Sequence, residues 1–179
     1  MSRVRITGGQ WRSRLLNVAD ATGLRPTPDR VRETLFNWLG QDLSGWRCLD
    51  LFAGSGALGF EAASRGARPV HMVECNPRVF ASLRQHADML GADQVELVRG
   101  DALKFAASVS HTYDLVMLDP PYHQGWLDRL SERIDALVAP GGRLYVEAEF
   151  PLKSLASFVT VKSGRAGQVC YQLMERQQA

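Results

Sequence analysis

The chain has 179 residues, 45% of them hydrophobic, and a formal net charge of +2. This length and apolar content predict one globular domain, or one domain with a small appendage, and exclude a chain too short to bury a core. No run of residues approaches the length of a membrane span and no N-terminal signal peptide is visible, so we expect a cytoplasmic protein.

The cysteines and histidines predict neither a disulfide framework nor a metal centre. The cysteines are odd in number, far apart and set in apolar or strand-like surroundings, at Cys48, Cys75 and Cys170. That pattern is typical of reduced core thiols. The four histidines have no ligand-like spacing to the cysteines or to one another, so we expect no bound metal.

Positive charge is concentrated at the N-terminus. Residues 1–32 contain seven arginines, no lysine and two aspartates, a local charge of +5, whereas the remainder of the chain carries −3. The planar guanidinium fork suits phosphate oxygens, so the segment is typical of a polyanion-binding appendage, and arginine alone favours nucleic acid. A solvated basic surface without a partner is the alternative.

Residues 1–20 predict a basic β-hairpin extension to a main domain of residues 21–179. Residues 3–6 and 11–18 alternate polar and apolar side chains on either side of a turn at 7–10. Trp11 could stack on RNA, or it could pin the hairpin to the domain, which is the commoner use of a lone tryptophan. The candidate RNA contacts of the hairpin and the following segment are Arg3, Arg5, Trp11, Arg12, Arg14, Arg25 and Arg30.

The first helix is predicted to start at Pro28 and to end near Gly40. Proline is tolerated at a helix start because its missing N–H would have no partner there. Apolar residues then recur at helical spacing, at Val31, Leu35, Trp38 and Leu39. We expect this helix to carry the hairpin and to cover the ligand-binding end of the sheet.

The next segment reads as a strand, a glycine-rich turn and a helix. An apolar run at residues 47–52 is followed by Gly54, Gly56 and Gly59, and a helix-forming stretch extends to residue 64. These glycines satisfy G-x-G-x-x-G, and Glu74 ends the strand predicted at residues 69–73, where an acid can bind both hydroxyls of a ribose. A nicotinamide enzyme and a methyltransferase account for this pattern equally well.

Asp50 favours the methyltransferase. An anion four residues ahead of Gly54 would repel a pyrophosphate, whereas it would attract the ammonium group of a methionine moiety. S-adenosylmethionine has that ammonium group and no phosphate. The alternative for Asp50 is an acid that caps a helix or braces the loop.

A helix at residues 77–90 and a strand at 95–98 lead to a second loop of interest. Val79, Leu83, Ala87 and Leu90 form the predicted buried side of that helix. In the loop after the strand, Asp101 could accept a hydrogen bond from an adenine amino group, or it could cap the short helix predicted at residues 102–107.

A buried strand at residues 113–118 ends in Asp119, Pro120, Pro121 and Tyr122. Ligands of open α/β sheets bind at such strand ends. The prolines hold the backbone rigid and leave the carbonyls of Asp119 and Pro120 free to accept hydrogen bonds, and Tyr122 offers a stacking face. This set suits a flat base with an exocyclic amine, although an ordinary strand-ending turn would use the same residues.

The C-terminal third completes the sheet. A helix at 126–138, a turn at 140–142 and a strand at 143–148 precede two apolar runs, 158–161 and 168–174, joined by a turn at 163–167. The last two runs predict an antiparallel pair. We therefore predict an α/β fold with a seven-stranded, mostly parallel sheet and the hairpin outside it.

These motifs, taken in chain order, resemble those of the Rossmann-like class I S-adenosylmethionine-dependent methyltransferases that modify exocyclic amines. More narrowly, residues 5–12 and 24–37 look like the RsmD family, and the resemblance extends through residues 167–171. The family methylates the N2 amine of a guanine in 16S ribosomal RNA of the small subunit. The resemblance thus implies S-adenosylmethionine as cofactor and 16S rRNA, within the small ribosomal subunit, as partner.

The resemblance also implies residue roles. The catalytic residues would be Asp119 and the Pro120 carbonyl, which bind the target amine, and Tyr122, which stacks on its base. The residues near the cofactor would be Asp50, Phe52, Gly54, Ser55, Gly56, Glu74, Asp101, Ala102 and Asp119. The loop at 50–56 would line the methionine moiety, Glu74 would hold the ribose, and Asp101 with Ala102 the adenine.

Three other functions stay open at this point. The same tetrapeptide serves methyltransferases of DNA and of other RNA amines such as adenine N6, although the chain shows no separate sequence-reading domain. A non-catalytic RNA-binding factor and a nicotinamide dehydrogenase are the further alternatives. Nothing in the sequence requires more than a monomer.

Overall fold

The computed structural model describes residues 2–179, and Met1 lies outside the described part. The strands are β1 Arg3–Arg5, β2 Leu15–Asn17, β3 Cys48–Asp50, β4 Val70–Glu74, β5 Val95–Arg99, β6 Tyr113–Leu118, β7 Val138–Ala148, β8 Ser154–Leu155, β9 Phe158–Ala166 and β10 Val169–Arg176. The helices are α1 Asp29–Leu39, α2 Ala57–Ser64, α3 Pro77–Leu90, α4 Ala102–Ser108 and α5 Trp126–Leu137.

The main sheet has the strand order β5-β4-β3-β6-β7-β10-β9-β8. Strands β5, β4, β3, β6 and β7 are parallel, and β10, β9 and β8 continue the sheet antiparallel. The chain proceeds from β3 toward one edge and then returns to place β6 on the other side of β3. In open α/β sheets the ligand crevice lies outside the carboxyl ends of the strands at such a reversal. The Rossmann-like prediction is confirmed.

Helices cover both faces of this sheet. One core cluster joins α1, α2 and α3 to one face, with Phe36 and Phe60 among its fully buried side chains. The other face packs against α4 and α5 through residues such as Ile134. Because β3 and β6 lie between the two layers, their residues are buried on both sides, which explains their continuous apolar runs.

The predicted hairpin forms as the antiparallel pair β1 and β2, a separate two-stranded sheet, although its second strand is shorter than predicted because residues 11–14 belong to the connecting turn. Its buried side chains, including Val4, Leu16 and Trp11, belong to the same core cluster as α1 and α2. Trp11 is only 4% exposed. Its ring therefore pins the hairpin to the domain and has no free face to stack on RNA.

Three details of the C-terminal third differ from the expectation. Strand β7 begins at Val138, and the predicted turn at 140–142 is a bulge inside it, because the register passes from Tyr113↔Val138 to Leu115↔Arg143. Strand β9 extends beyond its predicted run into residues 163–166 of the predicted turn, β10 continues past its predicted run to Arg176, and the chain reverses at Gly167 with φ 59°. Strand β8 adds an eighth, two-residue edge strand to the seven predicted.

The helices follow local signals closely. Helix α3 has the predicted bounds because the Asn76 side chain accepts hydrogen bonds from the N–H groups of Arg78 and Val79, and Gly91 ends it with φ 62°. Its buried side includes His86, whereas Ala87 is half-buried. No helix within residues 2–179 is long and apolar enough to cross a membrane.

Candidate active site

The glycine-rich turn connects β3 to α2 and requires glycine at two positions. Gly54 and Gly56 have φ values of 52° and 85°, in the left-handed region that favours glycine. A Cβ on Gly56 would lie 2.5 Å from the Phe60 ring, and one on Gly59 would lie 2.7 Å from the Met72 sulfur. The turn therefore brings the start of α2 tightly against the sheet.

Asp50 ends β3 directly beneath this turn. Its Oδ2 accepts a hydrogen bond from the Gly59 N–H at 3.0 Å, which is the loop-bracing alternative, but its Oδ1 is buried without a partner in residues 2–179. Burial raises the pKa of Asp50 to about 7. One acceptor of this carboxyl is thus in use and the other is available to a donor from a ligand.

Glu74 ends β4, the strand next to β3. Its Oε2 is also buried with no partner in the described chain, and burial raises its pKa to about 7. Buried acceptors are normally satisfied, so an orphaned carboxylate oxygen at a strand end indicates a missing donor. The hydroxyls of a ribose are donors of the required kind.

Asp101 has the capping role that was one of its two expected roles. It precedes α4, and its Oδ1 accepts a hydrogen bond from the Lys104 N–H at 3.0 Å. Ala102, the first residue of the helix, is buried. The contact of Asp101 and Ala102 with adenine stays a prediction.

Asp119 follows β6 and has a buried acid beside it. The register pairs Leu118 with Val146, so Asp119 and Glu147 lie next to each other one position further along. Glu147 is 2% exposed, and its carboxyl lies on the strand next to that of Asp119. Burial, reinforced by the charge of Glu147, holds the pKa of Asp119 well above its usual range. The closeness of the two carboxyls therefore disfavours the state in which both are ionised.

The segment before α1 crosses this end of the sheet. The Thr27 hydroxyl donates a hydrogen bond to Glu147 Oε2 at 2.8 Å. Nearby, a Cβ on Gly54 would lie 3.0 Å from the Leu24 side chain. Residues 24–28 therefore contact both the glycine-rich turn and the carboxyl pair, whereas the prediction assigned this position to the helix that follows them.

The loop after Asp119 is fastened to the end of β7. Glu149 accepts hydrogen bonds from the His123 N–H at 2.8 Å and lies 2.9 Å from its imidazole Nδ1. His123 has φ 62°, an uncommon value for a residue with a side chain. Tyr122, immediately before it, is half-buried, and burial raises its pKa to about 12. The loop thus presents a held tyrosine beside the carboxyl pair.

Pro120 belongs to this loop, and Phe52 lies in the glycine-rich turn. Pro120 is buried, and no N–H group of residues 2–179 donates a hydrogen bond to its carbonyl. Phe52 contacts Trp126 edge to face, with ring centroids 5.2 Å apart. Trp126 starts α5, so this aromatic pair connects the glycine-rich turn to the helix that follows the Asp119 loop.

A second buried polar cluster fastens the N-terminal segment to α2. Glu61 forms ion pairs with Arg32 at 2.7 Å and with Arg65 at 3.1 Å, and the side chains of Arg32 and Glu61 are fully buried. Arg32 also donates to the carbonyls of Arg5 and Thr27. This arginine of the basic segment is therefore internal and unavailable to a polyanion.

The exposed arginines of residues 1–32 fall into three groups. Arg25 and Arg30 flank Thr27 and so lie near the carboxyl pair. In contrast, the hairpin loop next to Arg12 and Arg14 is fastened to the far end of α2, because the Trp11 N–H donates to Ser64 Oγ at 2.9 Å. An eight-residue helix is about 12 Å long, so these two arginines lie roughly that far from the glycine-rich turn. Arg3 and Arg5 are exposed on β1.

A surface cavity of about 480 Å³ also lies at this far end, lined by residues that include Gln10, Gly66, Arg68 and Asp93. None of its lining residues is a candidate site residue. The chemistry of the strand ends, with its orphaned acceptors, is therefore a better guide to the active site than the size of this concavity.

Glu147 and Thr27 were not identified from the sequence. Glu147 is the one acid inside the apolar run of β7, which is an unusual place for a carboxylate and was a usable signal. That Glu147 lies next to Asp119, however, depends on the register of β6 and β7. No sequence pattern connects Thr27 to a residue 120 positions away.

Comparisons with known proteins agree on the family. Residues 4–175 match the model of the family described as Conserved hypothetical protein 95. The chain is 40% identical to ribosomal RNA small subunit methyltransferase D of Escherichia coli, over 98% of this chain and 91% of that protein. It is 39% identical to the protein of the same name in Haemophilus influenzae, over 96% of this chain and 93% of that protein.

Solved structures show the same fold. The structure of yhhF from Escherichia coli superposes with a TM-score of 0.88 at 40% identity, covering 98% of this chain and 99% of that one. An RNA methyltransferase from Salinibacter ruber in complex with S-adenosyl-L-homocysteine has a TM-score of 0.65 at 22% identity, covering 87% of this chain and 96% of that one. The second likeness concerns the fold alone.

Proposed function

Because the chain belongs to the RsmD family of ribosomal RNA small subunit methyltransferases, we propose that it methylates the exocyclic N2 amine of a guanine in 16S rRNA. S-adenosylmethionine is the cofactor of this class of methyltransferase and supplies the methyl group. The observation that carries the proposal is the set of unpaired acceptors at the strand ends. Asp50 Oδ1 and Glu74 Oε2 are both buried and both lack a partner within residues 2–179.

The residues at these strand ends fit the cofactor. One buried carboxyl oxygen of Asp50 has no partner within residues 2–179, and a negatively charged acceptor there suits the ammonium of the methionine moiety. Glu74 ends the neighbouring strand, which is the position from which an acid holds a ribose. The turn beside them contains Phe52, Gly54, Ser55 and Gly56. Asp101 and Ala102 follow β5, the strand next to β4.

Asp119, Pro120 and Tyr122 would hold the target base. An aromatic amine is a poor nucleophile because its lone pair is delocalised into the ring. Acceptors on its two protons, supplied by Asp119 and the Pro120 carbonyl, favour a pyramidal nitrogen and stabilise the positive charge that develops on it. Tyr122 offers a stacking face that offsets the stacking lost when the base leaves its helix.

The direct test is transfer of a labelled methyl group from S-adenosylmethionine by the purified protein. Small ribosomal subunits lacking the modification, naked 16S rRNA and duplex DNA are compared in parallel, followed by nucleoside analysis. We expect label in N2-methylguanosine from rRNA. Label in N6-methyladenosine, or in DNA, would retain the fold and the Asp119 chemistry but reject the guanine assignment.

Asp119→Ala should lower the rate of transfer by about 10²–10³-fold, because the principal acceptor for the amine is removed. Cofactor affinity, measured by calorimetry, should stay nearly unchanged. Asp128→Ala, at an exposed position on α5, is the matched control. An equal loss of cofactor binding in Asp119→Ala would contradict the role assigned to Asp119.

We further propose that exposed arginines bind the RNA backbone, with Arg25 and Arg30 closest to the target base. Reversing both charges (Arg25→Glu with Arg30→Glu) should weaken substrate binding more than Arg12→Glu with Arg14→Glu, and each pair should reduce the salt dependence of binding. Cofactor affinity is the internal control. Equal, negligible effects would mean that the basic segment is only a solvated surface.

Four further expectations stay predictions. They are the RNA contacts of Arg3 and Arg5, the monomeric state, the absence of a bound metal, and the boundary after residue 20 between the hairpin and the main domain.

A further inference from the structure

The buried carboxyl pair contains one acid for which methyl transfer has no assigned use. Glu147 is 2% exposed and makes no salt bridge with any cation of residues 2–179. A carboxylate in such a place is costly unless it is paired, and its partners here are a second acid and the Thr27 hydroxyl. A glutamine would fill the same space without a charge, so a purely structural role does not explain the acid.

The contact of Thr27 with Glu147 favours Asp119 as the acid that carries the proton of the pair. Thr27 donates to Glu147 Oε2, so this oxygen is an acceptor. Glu147 and Asp119 face each other across the register of β6 and β7. A proton on Asp119 satisfies both acids, because the Asp119 hydroxyl then donates to Glu147 and leaves the second Asp119 oxygen free to accept from the target amine.

The ionisable groups around the pair come from four elements. Those that interact electrostatically with the pair are Asp50 of β3, Tyr145 of β7, Arg32 of α1 and Tyr122 of the loop after β6. Burial raises the pKa of Glu147, while its hydrogen bonds and the charge of Arg32 oppose that rise. The arrangement therefore favours Glu147 as the anion and Asp119 as the neutral acid.

We propose that Glu147 is a positioning residue and proton acceptor behind Asp119: it orients the Asp119 carboxyl toward the amine and receives, through Asp119, the proton that the methylated amine loses. This inference rests on the proposed methyl transfer. The role of Glu147 adds two features to that reaction: a residue that acts without touching the substrate, and a defined destination for the proton.

The step balances as follows. The amine nitrogen forms a bond to the methyl carbon as the bond from that carbon to sulfur breaks, and the electron pair of the broken bond stays on the sulfur. The positively charged nitrogen then gives a proton to the free oxygen of Asp119, while the proton already on Asp119 passes to Glu147. Asp119 ends neutral as it began, Glu147 ends protonated, and solvent later removes its proton.

The first test is the pH dependence of the rate of transfer in Glu147→Gln. Glutamine accepts no proton and removes the charge that raises the pKa of Asp119. We expect kcat to fall about 10- to 100-fold and cofactor affinity to stay within about twofold. The acid limb, which in the wild type reports protonation of Glu147, should in this variant report protonation of Asp119 instead and should move to lower pH. Glu175→Gln, an exposed acid on β10, is the matched control.

Thr27→Val should move the acid limb in the opposite direction. It removes the hydrogen bond that stabilises the Glu147 anion, so Glu147 should keep its proton to higher pH, and Thr27→Ser should restore the profile. If both variants leave the acid limb in place, or move it the same way, Glu147 has only a structural role. Thr27→Val also carries the test if Glu147→Gln does not fold.

Carbon NMR of the free protein with labelled carboxyl groups separates this inference from the proposed function. In the wild type the signals of Asp119 and Glu147 should titrate as an interacting pair, and in Glu147→Gln the Asp119 titration should move to lower pH. Coupled titration in a protein that methylates no RNA would reject the proposed function alone. Independent titration of the two acids in an active enzyme would reject the inference alone.

Discussion

Two buried polar clusters meet at Thr27, whose carbonyl accepts a hydrogen bond from Arg32 and whose hydroxyl donates one to Glu147, and they differ in how their charges are compensated. Around Glu61, two arginines are within 3.1 Å of its oxygens and the acid has no unpaired atom. At the strand ends, Asp50, Glu74, Asp119 and Glu147 gather with no cation in ion-pair range, within the described chain.

The difference in compensation follows from what each cluster must hold. Where cations are built into the protein, the charges stabilise the fold and attach the N-terminal segment to α2. Where they are missing, burial raises the pKa values of Asp50 and Glu74 to about 7, and the free acceptors suit a cofactor that brings positive charge and hydroxyl donors. An uncompensated cluster thus marks a binding site, and a compensated one marks structure.

The largest effect is expected from breaking the compensated cluster. Glu61→Gln leaves the Arg32 guanidinium buried beside an uncharged amide, with Asp29 as its remaining acidic partner. The free energy of unfolding should fall by about 3–5 kcal/mol, measured by urea denaturation. Glu33→Gln, on the exposed side of α1, should change it little. A loss as small as that of the control would mean that Glu61 contributes nothing to the attachment.

An intermediate effect, on binding and not on stability, is expected from Glu74→Gln. The amide removes the charged acceptor at the end of β4, so cofactor affinity should fall by about 10- to 100-fold in calorimetry, as for hydrogen bonds to a charged group. The free energy of unfolding of the cofactor-free protein should be unchanged or slightly increased. Glu132→Gln, exposed on α5, is the control, and unaltered affinity in Glu74→Gln would remove Glu74 from the cofactor site.

The smallest effect should be a pH-dependent gain in stability in Asp50→Asn. The folded-state pKa of Asp50 is about 7, above the value near 3.9 of an unfolded aspartate. The folded protein therefore binds the extra proton between these values, and this stabilising contribution, fully present below pH 4, is lost as the pH rises through 7. Asparagine carries no such penalty.

Asp50→Asn should thus raise the free energy of unfolding relative to wild type, and this gain in stability should be larger at pH 8 than at pH 5 by on the order of 1 kcal/mol. The exposed Asp20→Asn is the control. A difference that does not vary with pH would show that Asp50 is already compensated in the free protein, and the contrast between the two clusters would then be weaker.

Local patterns accounted for much of the fold and of the cofactor side of the site. Helix α3 could be bounded from Asn76, Pro77 and Gly91, since caps act over a few residues. Asp50, Glu74 and Asp119 could be placed at one end of the sheet because parallel strands bring their carboxyl ends to the same edge. The bulge in β7 and the short strand β8 had no comparable local signal.

The sequence by itself determined the alternation of strands and helices, the glycine-rich turn and the acids that end the strands, since each depends on neighbours a few positions away. Only the tertiary structure decided which charges meet. The contact of Glu147 with Asp119, the burial of Arg32 against Glu61 and the separation of Arg12 from Arg25 follow from strand register and helix packing. Those contacts join residues far apart in the chain, and composition and spacing do not encode such distances.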